Sequence, residues 1–215
     1  MMQQPSGPPL PDELWSCHFA CISWGEPARW AHYLGQAQNI LGAKLTHLDK
    51  NDPVRRRVKT DDFAAMADFI TAIGKREDSR WVLGRFESIG VEFLVRRYKT
   101  VHHWPNSITW YFPASFASDP SRTEAVRSLF ACSNSSLTPF YSYADAKDHV
   151  ATRKSEFGSV DIQTELLGLF WLTYFDQRYE SFIGTERIKS LVGVDTTFGD
   201  GVTLCLGATP ASVPD

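Results

Sequence analysis

Residues 90–113 read GVEFLVRRYKTVHHWPNSITWYFP. In the first part Val91, Phe93 and Val95 alternate with Glu92, Leu94 and Arg96; in the last, Ile108, Trp110 and Phe112 alternate with Thr109 and Tyr111. A period of two with β-branched and aromatic side chains predicts two strands, each with an apolar face. The connecting TVHHWP is short enough to make them an antiparallel pair.

Working outward, the period changes. LWSCHFACISW (14–24) has the small, β-branched and aromatic content of a buried strand, ended by Gly25 and Pro27. In PARWAHYLGQAQNILGAKLTHL (27–48), Trp30, Leu34, Ala37, Leu41, Leu45 and Leu48 recur at steps of three and four, which predicts a long amphipathic helix. DKNDPVRRRVK (49–59) then reads as a solvated basic loop, with phosphate contact as the alternative. TDDFAAMADFITAIGK (60–75) predicts a second helix, with Thr60 as N-cap and Phe63, Met66, Ala67, Ile70 and Ile73 on one face.

Toward the C-terminus, Asp119-Pro120 opens a third helix with Val126, Leu129 and Phe130 as its buried stripe and polar SNSS at its end. A short helix is expected over 143–153. GLFWLTYF (168–175) predicts a core strand, QRYESFIGTERIKSL (177–191) a short helix, and DGVTLCLG (200–207) a last strand with Val202, Leu204 and Leu206 on one face. The apolar run from Leu166 to Phe175 falls far short of the roughly 20 residues that a bilayer-spanning helix needs. Strands and helices mix without regular βαβ alternation, so the expected class is α+β, a mostly antiparallel sheet packed with amphipathic helices. We expect one domain over residues 14–207, a flexible Pro-rich lead over 1–13 and a flexible tail over 208–215.

Composition is that of a globular chain: 215 residues, 43% hydrophobic, 22% charged and 13% aromatic. The start carries no basic segment followed by an apolar one, so no signal peptide is expected. Cys17, Cys21, Cys132 and Cys205 do not form a disulfide framework and are read as reduced thiols of a cytoplasmic protein. On a strand Cys17 and Cys21 would lie about 13 Å apart, too far to share a metal ion. The net charge of −3 does not invite nucleic acid or anionic membrane. It is unevenly spread, with 11 acidic and 6 basic side chains over 145–215 against 14 and 16 before.

Phosphate-binding glycine loops, HExxH, GxSxG and paired CxxC are all missing. His102-His103 offers a candidate general base, but neighbours on an extended chain point apart, and a solvated or core-edge pair is the plainer reading. Asp145, Asp148 and His149 form a second cluster; on a helix Asp145 and His149 would share a face, for a metal or, more commonly, a solvent-side ion pair. No catalytic residue, cofactor or metal ligand is therefore assigned, and the expectation is a protein that is not an enzyme.

The order of these segments resembles the immunity protein 52 family. The likeness is carried by the strand ending in Trp24-Gly25 before a long helix, by NSITWYFP, by GLFWLTYF and by the Gly-containing last strand, over residues 15–206. It implies a non-catalytic inhibitor of a cognate bacterial toxin, in particular a restriction-endonuclease-like nuclease delivered by type VI secretion. A nuclease presents a basic groove, so an acidic inhibitor surface would speed encounter and help select the partner. On that reading LFWLTYF is core strand, and Asp176, Glu180 and Glu186 in the following element are the expected toxin-facing residues. An adaptor or chaperone for a secreted effector, and then a small enzyme with an unfamiliar site, are the alternatives; no direct contact with nucleic acid or membrane is expected.

Overall fold

The computed structural model describes residues 14–20, 26–76, 79–96, 106–157, 167–191, 195–198 and 201–210. The expected pair is present: β4 (Ile89–Arg96) and β5 (Asn106–Phe112) run antiparallel, with Val91 opposite Trp110 and Phe93 opposite Ile108. They belong to a nine-stranded sheet in the order β2-β3-β4-β5-β1-β6-β7-β9-β8, every neighbouring pair antiparallel. The other strands are β1 (Leu14–Ala20), β2 (Leu45–Asp49), β3 (Ser79–Phe86), β6 (Tyr141–Ala146), β7 (Leu172–Asp176), β8 (Asp195–Phe198) and β9 (Gly201–Cys205). With its helices this is an α+β fold in one domain.

Strand alternation sends side chains to two separate cores. On one face Leu14, Val82, Phe86, Val91, Phe93, Ile108, Trp110 and Phe112 meet α1 (Pro27–Leu41), α2 (Phe63–Arg76) and α4 (Pro120–Leu137) through Trp30, Leu34, Met66, Ile70, Val126 and Leu129. The short α3 (Ser115–Ser118) adds Phe116. On the other face Cys17, Tyr141, Tyr143, Phe175, Val202 and Leu204 pack with Val150 of α5 (Lys147–Phe157), Tyr179 of α6 (Gln177–Ile183) and Ile188 of α7 (Thr185–Lys189). Beyond β9, the Trp171 carbonyl accepts from the Leu206 amide, and Arg127 donates to the Gly207 and Ala208 carbonyls. The expected lead over 1–13 and the end of the tail, 211–215, lie outside the described residues.

Several expected boundaries change. The first helix ends at Leu41, because Gly42 takes the left-handed conformation that closes a helix, with φ of 59°. Leu45 and Leu48 belong to β2 instead. They mimic helical spacing because the register shifts between Leu45 and His47, which returns both leucines to the same buried face. The second helix is capped by Asp62, whose carboxylate accepts from the Ala65 amide, rather than by Thr60. The polar SNSS forms the last turn of α4 before Leu137, with Ser133 and Asn134 buried, and Thr138 closes the helix with φ of 45°. Tyr143 to Ala146 are strand, and the helix expected there begins at Lys147.

Candidate functional site

The segment expected to face a toxin lies where β7 leaves the sheet. Asp176 ends the strand and caps α6: its Oδ1 accepts from the Arg178 and Tyr179 amides at 3.0 and 3.3 Å, and its Oδ2 from Arg178 Nε at 2.7 Å. Glu180 accepts from the Thr185 hydroxyl at 3.0 Å and so ties α6 to α7. Glu186 is exposed and meets Lys189 Nζ at 3.1 Å. The three carboxylates therefore sit on one short two-helix unit but are already engaged, and with Arg178, Arg187 and Lys189 the stretch 176–189 carries three charges of each sign. What protrudes is apolar: Phe182 is 75% exposed. Its position follows from the cap at Asp176 and the inward Tyr179, which leave Phe182 off the packed stripe.

A cap has a measurable stability. Asp176→Ala is expected to lower unfolding free energy by about 1 kcal/mol, because two helix-end amides lose their acceptor. Urea unfolding checks this, and an unchanged midpoint would remove the capping role.

The second sequence cluster is brought together in part. Asp145 closes β6 and His149 lies in the first turn of α5, so the pair spans a strand-to-helix junction rather than one helix face. His149 Nδ1 lies 2.7 Å from Asp145 Oδ2, which also accepts from the Trp171 amide, while Oδ1 accepts from the Ala146 amide. The carboxylate is 1% exposed and the imidazole a third exposed, so Asp145 orients the ring. Asp148 points away into solvent. His102 and His103 lie outside the described residues, as does Cys21; Cys17, Cys132 and Cys205 are free thiols. Among the described residues no group of three His, Cys, Asp or Glu side chains is placed to hold a metal ion.

A third constellation went unread in the sequence. Buried His18 on β1 lies 3.0 Å from Ser16 Oγ through Nε2, and 3.0 and 3.2 Å from Ser142 Oγ and Asn134 Oδ1 through Nδ1. Asn134 Oδ1 also accepts from the Ser142 hydroxyl at 2.9 Å. One proton arrangement satisfies the ring: Nδ1 donates and Nε2 accepts from Ser16, which is neutral imidazole. Burial drives the His18 pKa down to about 3, against the opposing hydrogen bond to Asn134. The set of residue types is that of a nucleophilic triad, but Ser16, His18 and Ser142 are at most 2% exposed, so no substrate reaches them. The network instead fixes α4 on the sheet. Its two halves, Ser16 with His18 and Asn134 with Ser142, lie more than 100 residues apart along the chain, so no local sequence signal joins them.

No family model matches this chain, so the resemblance to the immunity protein 52 family rests on the positions that suggested it. No match is found among curated protein sequences. A solved structure shares the fold. It is the Pseudomonas aeruginosa T6SS protein PA0821, with a TM-score of 0.64 and 12% identity over 92% of this chain. This chain spans 66% of that protein's length. At such identity the likeness concerns fold. No helix among the described residues is long and apolar enough to cross a membrane.

Proposed function

We propose that this chain is a cytoplasmic immunity protein that binds a cognate toxin, a nuclease delivered through type VI secretion, and neutralises it by occlusion without catalysis. The observation that carries the proposal is the fold shared over 92% of the chain with a T6SS protein. A rigid sheet held between two cores supports it as a scaffold for a fixed binding surface. Phe182, with Glu180 and Glu186 beside it in sequence, forms the toxin-facing element: an exposed aromatic is the type of residue that anchors interfaces, and flanking charges act on encounter.

The test is a growth assay in which the chain is co-expressed with toxins recovered by pull-down from its native bacterium. Rescue is expected, and Phe182→Ala with Glu180→Lys and Glu186→Lys should weaken binding about tenfold, more at low salt. Binding without rescue would make the chain an adaptor for a secreted effector. Rescue that His149→Ala abolishes at unchanged affinity would favour an enzyme built on the Asp145–His149 pair.

A further inference from the structure

Helix α6 is too short to hold itself. Its seven residues fall below the roughly 12–15 at which an isolated helix becomes even marginal in water, so its orientation comes from what it rests on. Tyr179 is its one buried side chain, and Ile183, four residues on and therefore on the same helix face, is half-buried against the same core. The Tyr179 ring sits in a socket of three aromatic rings. Its centroid lies 6.1 Å from Phe140 with the planes 8° apart, 5.9 Å from Tyr141, and 6.1 Å from Phe175 with the planes 30° apart. Aromatic pairs at such separations attract beyond the area they bury.

The floor of the socket is sheet. Tyr141 and Phe175 face each other across β6 and β7, with ring centroids 5.9 Å apart. Just before β6, the Phe140 amide donates to the Phe19 carbonyl at 2.9 Å and its carbonyl accepts from the Asp176 amide at 3.0 Å, which ties it to β1 on one side and β7 on the other. The Arg178 guanidinium lies 5.8 Å from the centre of the Phe140 ring, with its Nε donating to Asp176 at 2.7 Å. At the far end, Gly184 takes φ of 94° to turn the chain into α7, and the bond from Thr185 to Glu180 with the buried Ile188 closes the unit.

Phe182 follows Tyr179 by three residues, which sets it about 60° round the helix from the socket and out of the core. A side chain standing about 5–6 Å from the helix axis moves by roughly 2 Å when the helix rolls by about 20°. A shift of that size forfeits most of a close apolar contact. The seating of Tyr179 therefore decides where Phe182 points.

We propose that Tyr179 is a positioning residue, whose socket presents Phe182 as a fixed anchor for a preformed apolar pocket of the toxin. The assignment rests on the immunity reading and on Phe182 as its anchor. An apolar pocket fits because the stretch 176–189 carries three charges of each sign and its carboxylates already accept from Arg178, Thr185 and Lys189, so at close range the ring is what the unit offers. An anchor fixed before binding also gives up less freedom on docking.

The experiment measures the affinity of the toxin identified by growth rescue for wild type, Tyr179→Leu, Tyr179→Phe, Phe182→Ala and the double variant Tyr179→Leu with Phe182→Ala, at low and high salt. Tyr179→Leu and Phe182→Ala should each weaken binding about fivefold, by the same factor at both salts because the contact is apolar. Tyr179→Phe, which keeps the ring, should bind like wild type. The double variant should bind no worse than Phe182→Ala alone, since a residue that acts through another adds nothing once that other is gone. A merely structural Tyr179 would lower the unfolding midpoint without this coupling. Additive losses, or Tyr179→Leu within about twofold of wild type while Phe182→Ala weakens binding, overturn the positioning role and leave immunity intact. Losses that vanish at high salt overturn the apolar pocket. A wild-type chain that neither binds nor rescues overturns the immunity reading itself. If Tyr179→Leu does not fold, amide exchange of the wild type decides: the amides of Ser181 to Gly184 should exchange at least about a hundredfold more slowly than in an unfolded chain, and unfolded-chain rates there would overturn the socket.

Discussion

Trp110→Ala is expected to lower unfolding free energy by about 3–5 kcal/mol, the largest effect of any single truncation considered for this protein. The indole is fully buried near the middle of β5, between β4 and β1, with ring centroids 5.1 Å from Phe86, 6.3 Å from Phe112 and 6.4 Å from Tyr33. Alanine removes these contacts and leaves a cavity that three strands cannot close. It also removes a polar link: Nε1 donates to the Tyr33 hydroxyl at 3.0 Å, and Tyr33 is 2.8 Å from Ser133 Oγ, so strand, α1 and α4 are joined at one point. Trp110→Phe keeps most of the apolar contact and loses the donor, so it should cost about 1–2 kcal/mol. A domain of this size has roughly 5–15 kcal/mol in all, so the alanine variant is near the threshold of folding. Urea unfolding of both variants checks the ranking; an alanine variant within about 1 kcal/mol of wild type would show that the three-helix face is not packed around this residue.

The second large effect is acid lability set by His18. Its folded pKa is about 3 against 6.5 for a free imidazole, the cause being burial. Between those values the unfolded chain binds a proton that the folded chain refuses, so stability falls as pH drops through this window and is unaffected by this group above it. The slope approaches about 1.4 kcal/mol per pH unit where the unfolded histidine is fully protonated. Unfolding midpoints taken from pH 7 down to pH 4 should therefore fall steeply in wild type. In His18→Gln, which has no proton to take up, the profile should start lower, because the bonds with Ser16 and Ser142 are disturbed, and run flatter. Parallel profiles for the two proteins would mean that His18 is not held neutral by the fold.

The α+β class and the β4–β5 pair were legible because one face of each strand is apolar and fully buried while Glu92, Thr109 and Tyr111 on the other are only half-buried, which leaves alternation in the sequence. Where that condition fails, the reading fails. Tyr141 to Asp145 are all buried, since the sheet is covered on both sides there, and YSYADA shows no alternation. Leu45 and Leu48 were misread because a register shift in a strand reproduces a three-residue step. The Asp119-Pro120 helix start was readable, because a cap acts within a few residues and leaves a local signature. Asp176 belongs to the same class of signal: an acid after an apolar run and before a helix is a cap before it is a binding residue. The exposed Trp81 was beyond reach, since β3 did not emerge from the pattern.

The position of β1 has a consequence for the time at which the protein becomes useful. This first strand sits fifth in the sheet, and its two neighbours are β5 and β6, with Leu14 opposite both Phe112 and Ala146. A ribosome adding about 5–20 residues each second needs on the order of ten seconds to bring the second neighbour out after the first strand has emerged. Through that interval β1 has at most one of its two flanking strands, and neither core can close. Under the proposed immunity role, nascent copies would give a cell no protection, and it would have to keep a standing pool of finished molecules before an attack begins.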